Sequence, residues 1–166
     1  MRTELARLAG SNASVRLTRA VADDLPALVA LLADDPLGAG RERGDGDLAP
    51  YRRAFEAIDA DPRQLLVTAV DGTQVVGTLQ LTFVPGLSRR GATRALIEAV
   101  RVHRDHRNRG LGAAMFRWAI DDAASRGCAL VQLTTDKSRR DAHRFYERLG
   151  FVASHEGMKL ALAVGS

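Results

Sequence analysis

The sequence contains a single cysteine, Cys128, so no disulfide can form within the chain. The usual sign of an oxidising compartment is therefore missing, and we expect the protein in the cytoplasm. Cys128 opens an apolar run and has no base beside it in sequence. A buried small side chain is therefore the favoured interpretation, and a nucleophile is the alternative.

The sequence also lacks a long hydrophobic run. No apolar stretch has the length that crosses a membrane, and residues 1–13 are too polar for the core of a secretory signal. We therefore expect no membrane partner. The length of 166 residues fits one domain with a real core. We predict a disordered N-terminus over residues 1–13 and a single domain over residues 14–166.

Lysine is scarce, so arginine carries almost all of the positive charge behind the net +4. Such a balance suggests an anionic partner. Arg101, Arg104, Arg107 and Arg109 crowd around one glycine turn instead of lying along a helix, which favours a phosphorylated small ligand over nucleic acid. A solvated surface is the alternative interpretation of this charge.

Periodicity and turn residues predict an α/β (α+β) fold with a mixed, mostly antiparallel sheet of six to seven strands and helices on both faces. The predicted strands are residues 14–19, 64–70, 74–84, 92–103, 129–134 and 158–163, with a hairpin at Asp71-Gly72. Helices are predicted after Asp23 or Asp24, around Phe55, from Gly110 to Gly127, and up to Gly150.

The turn from Arg107 to Gly112 follows a predicted strand and opens a predicted helix. Backbone N–H groups at a helix start have no internal partner, and glycines allow a phosphate to approach them, so the turn suits a diphosphate. A Rossmann fingerprint needs a further glycine after Gly112, and a P-loop needs a lysine there; neither is present. A tight turn without a ligand is the alternative at this point.

Two blocks of sequence stand out, RNRGLG at residues 107–112 and AHRFYERLGF at residues 142–151. The first resembles the R/Q-x-x-G-x-G/A signature of the GNAT family of N-acetyltransferases, and Val100-Arg101-Val102 precedes it at the family's spacing. The run AHRFYERLGF at residues 142–151 resembles the family's second block, A-x-x-F/L-Y-x-x-x-G-F. The resemblance covers most of the chain, from about Leu65 to Leu162.

The resemblance implies acetyl-CoA as the acetyl donor, with its pantetheine arm between a splayed fourth and fifth strand and its pyrophosphate on the turn. The implied cofactor contacts are Val100, Val102, Arg107, Asn108, Arg109, Gly110, Gly112 and Ala113. Arg139 stands where many members carry an asparagine that hydrogen-bonds the cofactor arm. A guanidinium can reach a phosphate, but it lacks the acceptor of the amide.

The resemblance also implies a direct attack of a primary amine on the thioester through a tetrahedral intermediate. Glu98 is the candidate general base, because some family members that acetylate small amines have a glutamate at the matching place. In the predicted strand Glu98 shares one face with Leu96, Val100 and Val102, and partial burial is expected to raise its pKa. An ion pair with Arg94 or another surface arginine is the alternative.

Tyr146 matches the family tyrosine that protonates the departing thiolate, and a core aromatic is its alternative interpretation. The oxyanion is expected to accept a backbone N–H at a bulge near Val100. His103 and His106 flank Asp105, but a loop of arginines would repel a cation, so no metal is expected. His143 is either a substrate contact or a solvated residue.

The favoured function is acetylation of a small-molecule amine. A regulatory domain that binds acetyl-CoA without turnover and an acetyltransferase of peptide or protein amines are the alternatives. The acidic residues Asp34, Asp35, Asp45 and Asp47 either attract a cationic amine or belong to a solvated loop. The family resemblance also allows a homodimer.

Overall fold

The computed structural model describes residues 2–9, 12–34 and 46–162. The chain divides into two compact units, residues 1–133 and 134–166. In the described residues, no helix has both the length and the apolar character needed to cross a membrane.

A six-stranded sheet forms the centre of the first unit, with the strands in chain order from edge to edge. Its strands are β1 (Glu4–Arg7), β2 (Val15–Arg19), β3 (Gln64–Asp71), β4 (Gln74–Pro85), β5 (Thr93–Val102) and β6 (Leu130–Gln132). All neighbours pair antiparallel except β5 and β6, which are parallel. The predicted mixed, mostly antiparallel sheet is confirmed.

Helices lie on both faces of this sheet, as predicted. They are α1 (Leu25–Ala33), α2 (Ala49–Ala60) and α4 (Leu111–Ser125), while α3 (Ser88–Gly91) is a single turn after β4 with left-handed φ angles at Arg89 and Arg90. Leu66 and Val70 of β3 pack among residues of α1 and α2. On the other face, Met115 of α4 approaches Gly77, whose partner on β3 is Ala69. The strand alternation therefore gives one face to α1 and α2 and the other to α4.

The N-terminus differs from the sequence prediction, because Glu4–Arg7 form a strand where disorder was expected. Strand β1 pairs antiparallel with β2, and Leu8 N–H donates to the Val15 carbonyl at 3.0 Å. The strand is short and charged, as edge strands commonly are, so its sequence shows no alternating apolar pattern. Hydrogen bonds with the backbone of β2 order residues 4–7, and the local sequence pattern gives no sign of this partner.

The sequence predicts that Leu96, Glu98, Val100 and Val102 share one face of the long strand, and this prediction is wrong for the residues after Glu98. In β5, Glu98 lies opposite Gln80 but Arg101 lies opposite Thr78, so Ala99 and Val100 together face one residue of β4. Ala99 takes a left-handed φ of 51°, which makes room for the extra residue. Because one added residue reverses the alternation, Glu98 lies on the face of α1 and α2, whereas Val102, opposite Gly77, lies on the α4 face.

Strands β5 and β6 pair over three residues only, from Arg94 opposite Leu130 to Leu96 opposite Gln132. Strand β5 continues to Val102, so its last six residues extend beyond the ladder with β6. Every residue of β6 is paired, and the ladder stops where β6 ends, so the splay of the predicted fourth and fifth strands stays a prediction.

The second unit contains α5 (Arg140–Arg148). The helix ends before Gly150, which has a left-handed φ of 91°. The helix is confirmed, but the predicted closing strand is not: the described residues 158–162 form no strand. Met158, Leu160 and Leu162 alternate as a strand would, yet they are exposed. Alternation alone does not form a strand, because the backbone groups also need a partner.

Candidate active site

The turn between β5 and α4 has the backbone of an anion-binding turn. Asn108 and Gly110 adopt left-handed φ angles of 60° and 78°, and Gly110 is the N-cap of α4. The first intrahelical hydrogen bond runs from Ala114 N–H to the Gly110 carbonyl at 3.0 Å. The backbone N–H groups of residues 111–113 come before Ala114 in the chain and have no carbonyl partner within the helix. They are therefore the donors that a ligand can use.

Arg107 is fixed by three contacts with the protein itself. Its Nε donates to the Val102 carbonyl at 3.0 Å, and one terminal nitrogen donates to Asp34 Oδ2 at 2.9 Å and to the Asp34 carbonyl at 2.8 Å. The guanidinium therefore joins the end of α1 to the end of β5. Its expected contribution of positive charge is offset by Asp34, and its predicted cofactor contact through the backbone stays a prediction.

We expect Arg107→Lys to raise the KM for acetyl-CoA about fivefold while kcat changes little. A lysine keeps the charge but cannot replace the fork of contacts to Val102 and Asp34, each worth about 1 kcal/mol. Steady-state kinetics and a thermal melt measure the effect, with Arg117→Lys on the exposed side of α4 as the control. An unchanged KM in Arg107→Lys would show that charge alone matters at this position.

Asn12 supports the same turn from the N-terminal segment, and the sequence interpretation missed it. Its Nδ2 donates to the Arg109 carbonyl at 3.4 Å, and the side chain is buried. The two residues are separated by most of the first unit in sequence, so no local pattern connects them. The sequence offers Asp34 either as a residue that attracts a cationic amine or as part of a solvated loop, and in the structure it forms an ion pair with Arg107.

Of the other acidic residues that could attract a cationic amine, only Asp47 lies in the part of the chain that the structure describes. Asp47 Oδ1 accepts the N–H of Ala49 at 2.8 Å, which stabilises the start of α2. Asp35 and Asp45 lie outside the described residues.

Glu98 is exposed, so the expected partial burial is wrong. The bulge removes it from the face that carries Val102 and places it beside the half-buried Gln80. The alternative of an ion pair is also wrong within the part of the chain that the structure describes, because Glu98 pairs neither with Arg94 nor with another described arginine. The predicted bulge is present at Ala99 and Val100; a role for Val100 N–H toward an oxyanion stays a prediction.

His103 and His106 pack edge-on, with ring centroids 6.1 Å apart. His106 Nε2 lies 3.5 Å from Asp71 Oδ2, and His103 Nδ1 lies 3.6 Å from Asp105 Oδ2. Each histidine therefore has a carboxylate neighbour of its own. These contacts join the end of β5 to the β3–β4 hairpin.

A cavity of about 580 Å³ lies between α1 and the β3–β4 hairpin. Its lining includes Arg2, Asp24, Asp34, Thr73 and His103, but neither Glu98 nor the bulge. The cavity is therefore separate from the surface around Glu98.

Cys128 is half-buried near the start of β6. Burial raises the pKa of its thiol, and this effect outweighs the lowering by Arg126. A raised pKa disfavours the thiolate, which supports the interpretation of Cys128 as a packing residue.

Tyr146 and Arg139 belong to the second unit. The half-buried residues of α5 include Ala142, Phe145 and Tyr146, as the helical spacing predicted. The Tyr146 ring packs edge-on against Phe145 and Phe151, with centroids 5.4 and 6.1 Å away. Arg139 is the N-cap of α5, where its carbonyl accepts the His143 N–H at 3.1 Å. His143 Nε2 also lies 3.1 Å from the Asp136 carbonyl oxygen.

The first unit thus carries Glu98, Val100 and Val102 at the end of β5, with Glu98 and Val102 on opposite sheet faces, and the turn of residues 107–113 follows this strand. Arg139 and Tyr146 lie at the start and near the end of α5. The cofactor and catalytic roles assigned to all of these residues stay predictions.

Comparison with known proteins identifies the family. The Acetyltransferase (GNAT) family profile matches residues 25–151. An aminoalkylphosphonate N-acetyltransferase from Salmonella typhimurium is 33% identical over 109 residues, which cover 66% of this chain and 70% of that protein. A crystal structure of a transcriptional regulator from Bacillus halodurans C-125 is 48% identical, with a TM-score of 0.86 over 89% of this chain and 99% of that one.

A putative acetyltransferase from Agrobacterium tumefaciens is 29% identical, with a TM-score of 0.78 over 88% of this chain and 99% of that one. The family match spans α1 to the end of the second signature block, and thus includes the bulged strand, the glycine turn and α5. This chain therefore belongs to the GNAT family of acetyltransferases, enzymes that use acetyl-CoA.

Proposed function

We propose that the protein transfers the acetyl group of acetyl-CoA to the primary amine of a small molecule, by direct attack through a tetrahedral intermediate. The observation that carries the proposal is the succession, along one strand and turn, of the bulge at Ala99, the left-handed Gly110 and the helix start of α4. The helix start supplies donors for a pyrophosphate, and the bulge is suited to supply one for the oxyanion.

Each step of the transfer has a candidate residue. The amine nitrogen attacks the thioester carbon while Glu98, through a water molecule, takes the proton that the amine loses. The oxyanion accepts a hydrogen bond from the backbone at Val100. When the C–S bond breaks, the Tyr146 hydroxyl gives its proton to the thiolate sulfur. Glu98 is exposed, and this exposure favours a relay through water.

The small-molecule acceptor is supported by the relative from Salmonella typhimurium, an aminoalkylphosphonate N-acetyltransferase. A second candidate function is a regulatory domain that binds acetyl-CoA without turnover. The relative from Bacillus halodurans C-125, described as a transcriptional regulator, favours it. Release of coenzyme A thiol with a panel of amines distinguishes the two, because only the enzyme releases thiol in proportion to the amine supplied.

We expect Glu98→Gln to lower kcat for the best amine of that panel about a hundredfold, since general base catalysis commonly contributes at least that much. The amide keeps the shape of the side chain but cannot take a proton. Glu56→Gln is the matched control, because Glu56 is exposed on α2. Equal loss of activity in both variants, or none in Glu98→Gln, would remove Glu98 from the mechanism.

A further inference from the structure

Three residues of β5 form a row on the sheet face that bears α1 and α2. Glu98 lies opposite Gln80, Leu96 opposite Thr82, and Arg94 opposite Val84. All except the exposed Glu98 are half-buried, whereas Leu81, Phe83, Ala95 and Ile97 on the α4 face are buried. The row is therefore only partly covered and is available to a ligand.

The two charged residues at the ends of this row do not neutralise each other. Arg94 and Glu98 are four residues apart on an extended strand, about 13 Å between their Cα atoms. The guanidinium of Arg94 and the carboxylate of Glu98 form no ion pair or hydrogen bond with any residue that the structure describes. A cation and an anion thus stand at opposite ends of one surface, separated by the apolar Leu96.

Polar side chains on the neighbouring strands are held in one orientation. Gln64 Oε1 accepts hydrogen bonds from Gln80 Nε2 at 3.0 Å and from Thr82 Oγ1 at 2.8 Å. Because Gln80 donates to Gln64, its own carbonyl oxygen is left as an acceptor beside Glu98. A primary ammonium group, which only donates, suits this end of the row.

The other end of the row suits an anion. Arg94 Nη1, the Ala92 carbonyl oxygen and Ser88 Oγ lie 3.6, 3.7 and 3.9 Å from the position that a Cβ on Gly86 would take, so two possible donors and one backbone acceptor surround this point. The adjoining turn α3 adds Arg89 and Arg90, whose left-handed φ angles of 53° and 61° are costly for residues with a Cβ. Strained backbone of this kind is concentrated at functional sites.

We propose that the acceptor is a primary amine that also carries an anionic group, with the amine bound near Glu98 and the anion bound by Arg94 and Ser88. The anion is a phosphonate, a phosphate or a carboxylate, all of which match the donors of a guanidinium. This substrate class rests on the proposed function, because the amine at Glu98 is the group that receives the acetyl.

The test compares acceptors that differ in charge and variants that differ in Arg94. The probes are ω-aminoalkylphosphonates of increasing chain length and the neutral n-alkylamines of the same lengths, each with acetyl-CoA. The variants are Arg94→Gln and Arg94→Lys, with Arg117→Gln as a control that removes an exposed arginine from α4. Binding of the phosphonates in the presence of coenzyme A is measured separately by calorimetry.

We expect the phosphonates to have a kcat/KM at least about tenfold above that of the matched alkylamines, since a charged hydrogen bond contributes that much. Arg94→Gln is expected to remove this preference while the KM for acetyl-CoA stays constant, and Arg94→Lys to restore part of it. Arg117→Gln is expected to behave as wild type. A wild-type enzyme without preference for the anion, or equal effects of Arg94→Gln and Arg117→Gln, overturns the proposal.

Calorimetry separates the failure of this proposal from the failure of the proposed function. Phosphonate binding that depends on Arg94, without any thiol release, supports the anion site and rejects the transferase reaction. Thiol release with every amine regardless of charge supports the reaction and rejects the anion site.

Discussion

Gly112→Asp should weaken the binding of coenzyme A and acetyl-CoA on the order of a hundredfold. Gly112 lies in the first turn of α4, among the amides that we assign to the pyrophosphate. A carboxylate about 4 Å from a phosphate costs several kcal/mol at the effective dielectric of a protein surface. An aspartate near a helix N-terminus interacts favourably with the helix dipole, so the variant is expected to fold.

Calorimetric titration with coenzyme A measures this change, and a thermal melt without ligand confirms that the variant is folded. Gly112→Ala is the matched control, since the family signature accepts alanine at this position and we expect at most a small loss of affinity. Wild-type affinity in Gly112→Asp would mean that the pyrophosphate does not lie on this turn.

Tyr146→Phe should lower kcat about a hundredfold or more and leave the dissociation constant of acetyl-CoA nearly unchanged. The hydroxyl is assigned the proton that the departing thiolate needs, and general acid catalysis contributes on this order. The ring contacts with Phe145 and Phe151 do not involve the hydroxyl, so phenylalanine retains them.

Tyr51→Phe is the control for this change, because Tyr51 of α2 is the other tyrosine of the chain. Single-turnover kinetics, followed as thiol release, isolates the chemical step from product release. If Tyr146→Phe turns over as fast as Tyr51→Phe, the leaving sulfur takes its proton from another source.

The sequence predicted those elements whose signals are local. The hairpin at Asp71-Gly72 and the stop of α4 before Gly127 are confirmed, because turn geometry and left-handed glycines depend on a few adjacent residues. The glycine turn after β5 was recognised for the same reason. Its backbone requires a left-handed residue at position 110, and glycine adopts this conformation readily.

Features that depend on distant partners were not predictable in this way. The order of β1 comes from pairing with β2, and the fixed position of Arg107 comes from Asp34 at the end of α1. Only the family resemblance predicts the bulge, and no local signal predicts its effect on the faces of β5, because an alanine such as Ala99 gives no sign of a left-handed φ.

Regular alternation along β5 before the bulge at Ala99 gives this strand two environments with separate sets of side chains. Residues Ala95 and Ile97 are fixed by packing under α4, whereas Arg94, Leu96 and Glu98 on the opposite face are only partly covered. If this face binds the acceptor as we propose, substitutions in the second set are expected to change which amines are accepted without disturbing the core.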